Sequence, residues 1–145
     1  VGQYHDAVNP CALMVYMGAV ANGGKAAVPK LILKYGNALG LPALRTSLGR
    51  TGRLIDAKTA GVLSELMANN VVSTYGTDRF PNILCAKSGT AEVGADQRPH
   101  AWFTGFLRNE DAPYAFVVLV ENGGGGASVA GTVAGRVLDV IVNGY

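Results

Sequence analysis

The sequence predicts an α+β fold in which helices pack on an antiparallel three-stranded meander. Three observations lead there. Three extended runs, Ile83 to Val93, Ala101 to Leu107 and Tyr114 to Glu121, follow one another across short polar turns, and strands joined so closely pair antiparallel. Two segments ahead of them and one behind carry apolar residues at helical spacing. Neither an internal repeat nor a linker divides the 145 residues, which suits one core of ordinary size.

The elements follow in order. Asn9 is a good N-cap and Pro10 a good first helical residue. Leu13, Met14, Met17, Val20 and Ala21 then recur at helical spacing, and Gly23-Gly24 stops the helix. It is apolar on nearly every face, so a central buried helix is expected, with Met14 and Met17 in the core. From Ala26 to Leu33 a short extended segment carries Pro29, which favours a sheet edge. Tyr35 to Gly52 reads as an irregular solvated connection or short hairpin, and the fold leaves room for short edge strands beside the meander. Asp56 caps a second helix, Ala57 to about Val72, whose inner stripe is Ala60, Leu63, Leu66 or Met67, and Asn70 or Val71. A loop from Ser73 to Asn82 precedes the first strand. The third strand is a near-continuous apolar run, as expected where both faces are covered. Gly123 to Gly126 reads as a flexible connector rather than a phosphate cradle, since no Lys-Ser/Thr follows it. A last helix, about Ser128 to Val142, turns Val129, Val133, Val137, Leu138 and Ile141 inward, and Gly144 ends it.

Composition narrows the function. Hydrophobic residues make up 49% and charged residues only 15%, so part of this surface is expected to lie under more protein. A net charge of +2 without a basic aromatic cluster argues against nucleic acid as a partner. The apolar run Cys11 to Ala21 is too short to cross a bilayer. Cys11 and Cys85 read as buried free thiols, with a disulfide as the alternative. His5 and His100 have no ligand-spaced companions, so no metal and no other cofactor is expected. His5 reads as a loop residue, His100 as a strand-entry residue that could border a cleft, and Trp102 as core. Glu121 and Asn122 read as structural.

The chemistry concentrates in Cys85-Ala86-Lys87-Ser88-Gly89-Thr90-Ala91-Glu92. Lys87 brings a cation that can hold a carboxylate or help move a proton. Ser88 and Thr90 bring hydroxyl donors. Gly89 lets a ligand lie against the backbone. Backbone N–H groups beyond it can face a developing oxyanion. Strand alternation puts Lys87 and Gly89 on one face, Ser88 and Thr90 on the other. All four can serve one site only from an edge strand beside a cleft, with local twist.

A Lys-Ser/Thr-Gly triplet is one of three named motifs of penicillin-binding proteins and serine β-lactamases. Its Thr-Ala continuation is more like the former. Gly2-Gln3, Asn9-Pro10, Ala21-Asn22-Gly23-Gly24 and Val28-Pro29 come before it in the family's order. Tyr75-Gly76-Thr77 resembles a Gly-Thr that precedes the strand. His100-Ala101-Trp102-Phe103-Thr104-Gly105-Phe106 and the run Ala115 to Gly124 follow it. Through nearly its whole length the chain resembles the class B, monofunctional penicillin-binding transpeptidase domain. Ala86 stands where Gly is usual before the motif, Ser88 where Thr is commoner, and Asn9 where Thr is. The other two motifs, Ser-x-x-Lys and Ser-x-Asn, are absent, since none of Ser47, Ser64, Ser73, Ser88 and Ser128 begins either.

The resemblance implies the C-terminal portion, residues 1–145, of a β-lactamase/transpeptidase-like fold. It implies a D,D-transpeptidase that cross-links peptidoglycan through a serine acyl-enzyme, with the nucleophile supplied from elsewhere and this chain inactive alone. Lys87 would hold charge near the donor's carboxylate, Ser88 and Thr90 would bind that carboxylate, and Gly89 would let the substrate lie along the strand. Thr90's backbone N–H would supply one oxyanion donor, and Glu92 would line the acceptor side. The implied partners are D-Ala-D-Ala stem peptides, β-lactam antibiotics and the N-terminal half of the domain. A membrane glycosyltransferase and other cell-wall machinery complete the set. The implied place is the outer face of the bacterial cytoplasmic membrane, with an upstream anchor. The competing readings are a non-catalytic scaffold of the same fold, or a piece of a serine β-lactamase or D,D-carboxypeptidase.

Overall fold

The computed structural model of the chain describes residues 7–32, 34–35, 44–45, 47 and 49–144. Helix α1 spans Pro10–Ala21, capped by Asn9, whose side chain accepts from the N–H groups of Cys11 and Ala12. Past its end Gly24 adopts φ +100° and lies against the Ile55 carbonyl, where a side chain would have no room. Leu54 N–H donates to Gly24 C=O at 2.8 Å, tying the end of α1 to the entry of α2. Between them Ala27 bridges Arg50, and β1 (Lys34–Tyr35) pairs with β2 (Leu44–Arg45) antiparallel. This is the hairpin form of the expected connection. Gly2-Gln3, His5 and most of the stretch around Leu33 and 36–43 lie outside the described residues.

Helix α2 spans Ala57–Asn70, with Asp56 accepting from Lys58 and Thr59 N–H. Those bonds, the Thr59 N–H first, hold the Asp56 carboxyl below its ordinary range. The helix runs on into a wide π-type turn, Val71–Tyr75. Then come β3 (Leu84–Ala91), β4 (His100–Leu107) and β5 (Ala115–Val120). They form an antiparallel sheet in the order β3-β4-β5, with Lys87 opposite Thr104 and Ser88 opposite Phe103. A second π-type turn, Gly126–Ala130, leads into α3, Gly131–Asn143.

The sheet separates two cores. On one face Leu84, Ala86, Ala101, Phe103 and Leu107 pack with Val71, Tyr75, Phe80, Ala130, Ala134 and Leu138. On the other, Cys85 and Phe106 pack with Val20, Met17, Met67 and Ala115. So α3 covers the first face and α1 the second. Asn70 donates from Nδ2 to the Ala86 carbonyl at 3.0 Å, so the end of α2 crosses the outer edge of β3 at that residue.

Several expectations are corrected. Helix α1 buries Ala19 and Val20 but leaves Cys11, Tyr16 and Met14 exposed, Met14 to 36%. Cys85 is buried as expected, both thiols are free, and burial pushes the Cys85 thiol up. In α2 and the turn that follows it Ala60, Met67 and Val71 turn inward, whereas Leu63 and Leu66 face out, Leu66 to 58%. From the end of the second π-type turn through α3 the buried stripe is Ala130, Ala134 and Leu138, one turn apart, while Val133, Val137 and Ile141 are exposed. That stripe packs in one core with Phe103, and a Cβ on Gly131 would stand 3.4 Å from its ring. Strand β5 is half-buried throughout, since it is the far edge of the described sheet. The glycine run is built in rather than a free connector. Gly124 and Gly126 are buried, and Gly124 N–H donates to Pro99 C=O at 2.8 Å.

Candidate active site

Strand β3 is one edge of the described sheet, and the motif occupies the end of that edge beyond the crossing of α2. Asn70 takes the Ala86 carbonyl, so residues at even positions direct their backbone groups outward. Ser88 conforms: its N–H donates to the Tyr75 hydroxyl at 2.7 Å. Its carbonyl accepts from Lys87 Nζ at 2.6 Å. By the same two-residue alternation the Thr90 N–H points out of the sheet, where a ligand oxygen would meet it.

The side chains divide as alternation requires. Lys87 is exposed and lies opposite Thr104, beside Gly89 and its partner Trp102. Thr104 is buried there and donates to the Phe116 carbonyl at 2.9 Å. Trp102 is half-buried rather than core, and a Cβ on Gly89 would stand 3.3 Å from its Cβ. Gly89 therefore keeps a shallow floor between Lys87 and the indole. Ser88 and Thr90 share the opposite face. The Ser88 Oγ accepts from the Tyr75 hydroxyl at 2.9 Å. The Thr90 Oγ1 accepts from Gly126 N–H at 3.1 Å. His100 closes the strand end, its Nδ1 accepting from Asn122 N–H at 2.9 Å. Glu92 lies beyond β3, exposed.

The fold thus brings Lys87, Ser88, Gly89 and Thr90 to one free strand end, with Lys87 and Gly89 on one face and two hydroxyls on the other. Such an edge can receive an extended peptide as an added strand while flanking charges and hydroxyls take its carboxylate. Among the described residues this edge gathers a cation, two hydroxyls and an outward backbone N–H, and no activated nucleophile lies among them. Ser88, the one serine in the motif, is bonded to Tyr75 and has no general base described against it. Among the described residues no group of His, Cys, Asp and Glu could hold a metal ion. Tyr75 and Gly126 were not legible as site residues. Neither belongs to the motif, and each reaches it through the fold from 13 and 36 residues away.

The family model for the penicillin-binding protein transpeptidase domain matches residues 1–139. The chain belongs to that family. It is 34% identical over 139 residues to the peptidoglycan D,D-transpeptidase PbpA of Mycolicibacterium smegmatis, a match covering 90% of this chain and 28% of that protein. It is 35% identical over 57 residues to the peptidoglycan D,D-transpeptidase MrdA of Haemophilus influenzae, across 39% of this chain and 9% of that one. Among solved structures it superposes on the ceftriaxone acyl-enzyme of penicillin-binding protein A from M. tuberculosis with a TM-score of 0.85. Identity there is 29%, covering 98% of this chain and 34% of that one. The penicillin G acyl-enzyme of the same protein gives a TM-score of 0.74 at 30% identity, covering 94% and 33%. The chain therefore spans about a third or less of the length of these relatives.

Proposed function

We propose that this chain is the C-terminal portion of a D,D-transpeptidase domain that cross-links peptidoglycan, and that it supplies the carboxylate-binding and oxyanion edge of the site. The nucleophilic serine of a Ser-x-x-Lys motif comes from protein outside these 145 residues. The observation that carries the reading is the placement of Lys87 to Thr90 on the free end of β3 in a chain of this family.

The reaction assigns each group one task. The serine oxygen attacks the carbonyl carbon of the D-Ala-D-Ala bond, and its proton passes to a base. The resulting oxyanion accepts from Thr90 N–H and from the nucleophile's own N–H. The tetrahedral centre collapses, the C–N bond breaks, and terminal D-Ala leaves with a proton. An amine of a second stem peptide then attacks the ester carbonyl, restoring the serine and forming the cross-link. Ser88 and Thr90 hold the donor's terminal carboxylate during the first half, and Lys87, at the same strand end, holds charge near it and near the second motif's serine. A β-lactam enters by the same route, its ring amide standing for the scissile bond and its carboxylate for the terminal one.

Peptidoglycan lies outside the cytoplasmic membrane, so the site works there. The proposed anchor is an upstream segment outside these 145 residues; among the described residues no helix is long and apolar enough to cross a membrane. A membrane glycosyltransferase and other cell-wall machinery are the proposed partners. The exposed apolar residues of α1 and α2, such as Met14, Tyr16, Leu63 and Leu66, are proposed to meet the rest of the domain.

Fluorescent penicillin followed by denaturing electrophoresis tests this. The longer protein carrying these residues is expected to show a covalent band that excess benzylpenicillin removes. The 145 residues alone are expected to show none. An unlabelled longer protein, or a labelled short one, would contradict the proposal.

A further inference from the structure

Three backbone groups on the outer edge of β3, up to Ser88, are taken by neighbouring elements. Leu84 N–H donates to the Pro81 carbonyl at 2.9 Å. The Ala86 carbonyl accepts from Asn70 at 3.0 Å, and Ser88 N–H donates to Tyr75 at 2.7 Å. A bare sheet edge pairs with any extended chain that reaches it, so these contacts leave the strand end beyond Ser88 for a ligand. Tyr75 also acts on a side chain. A phenol has one hydrogen and can accept as well. Here it accepts from Ser88 N–H and gives its hydrogen to Ser88 Oγ at 2.9 Å. Ser88, already accepting from the phenol, keeps its own hydroxyl hydrogen for another acceptor.

We propose that Tyr75 is a positioning residue for ligand recognition: its hydroxyl holds the Ser88 hydroxyl as a donor to the ligand's carboxylate. The inference rests on the reading of β3 as the transpeptidase edge and adds a residue to it. The support is rigid. Tyr75 is 8% exposed, with its ring edge-on to Phe103 at 5.3 Å and to Phe80 at 6.2 Å. The π-type turn brings it there, and Gly76, at φ +84°, ends that turn. Two bonds from one fixed hydroxyl to the amide and side chain of one residue leave Ser88 little freedom to turn away.

The test uses the longer protein that carries this chain, with benzylpenicillin and its methyl ester as probes. The ratio of their second-order acylation rates reads carboxylate recognition, and the amount of correctly folded enzyme cancels from it. Tyr75→Phe keeps the ring and is expected to lower the ratio about threefold to tenfold, the effect of one hydrogen bond no longer oriented. Ser88→Ala is expected to lower it at least as far. In the Ser88→Ala background Tyr75→Phe is expected to change nothing more, because residues acting through one contact are not additive. An unchanged ratio in Tyr75→Phe overturns the proposal, and so does an equal further drop in the Ser88→Ala background, which would mean packing alone. Those results leave the β3 site standing. A wild-type protein that is not acylated at all removes the site reading and the proposal together.

Discussion

Gly126→Ala is expected to loosen the whole motif. A Cβ there would collide with the Gly89 carbonyl and stand 2.8 Å from the Trp102 carbonyl oxygen. Both are backbone atoms in paired strands, so neither can swing aside as a side chain could. The π-type turn must lift from the sheet or the strands must part. Lifting it lengthens the Gly126 N–H bond to Thr90 Oγ1, now 3.1 Å. It also drags Ala130, fully buried, out of the core. Overpacking of this kind costs about 1–3 kcal/mol and occasionally more, and backbone clashes put it at the upper end. The melting temperature of the longer protein should fall by several degrees. Its acylation should fall too, since a misplacement of about 1 Å in a reacting group can cost about a hundredfold. Gly61→Ala is the contrast. It lies inside α2 with nothing within 4 Å of its Cβ position. Removing a helix-interior glycine there should stabilise by about 0.5–1 kcal/mol. The same substitution therefore changes sign between two sites, and melting curves of both variants read it directly.

Lys87→Ala is expected to slow acylation of the longer protein by benzylpenicillin about tenfold to a hundredfold. A hydrogen bond to a charged group contributes about 1.5–3 kcal/mol, and about 1.4 kcal/mol is a factor of ten. Folding should barely respond, because Lys87 is exposed and its described bond goes to the neighbouring Ser88 carbonyl. Lys87→Arg should also be impaired, since a planar fork replaces a compact ammonium poorly. Rates unchanged in both variants, or losses matched by unfolding, would return Lys87 to the role of an ordinary strand-edge residue.

Much of this was legible from the residues because it is local. Asn9-Pro10 and Asp56 start their helices where their capping chemistry puts them. The three strands keep their order, and the motif divides between two faces as period two demands. What was not legible depends on what lies opposite. Met14, Leu63 and Leu66 are apolar, yet each stays more than a third exposed, and hydrophobicity alone cannot say which apolar residue is covered. In α3 the valines looked like the core because they are larger, but the face that meets Phe103 carries Ala130, Ala134 and Leu138. Four glycines in a row suggested slack, whereas Gly126 is there because Gly89 and Trp102 leave no room for a side chain. Tyr75 carried no signal of its own: a single tyrosine before a glycine meets Ser88 only after the π-type turn and the Phe80–Phe103 stack place it.

In this proposal the free end of β3 receives the ligand's carboxylate and oxyanion while the nucleophile lies elsewhere. A crystal structure of the longer protein acylated by benzylpenicillin tests it most directly. The covalent bond is expected on a serine outside this chain, with the ester carbonyl oxygen within hydrogen-bond distance of Thr90 N–H. The carboxylate is expected against the Ser88 and Thr90 hydroxyls, with Lys87 beside it. An adduct on Ser88 or on any other serine of these 145 residues, or a ligand seated away from β3, would contradict the proposal.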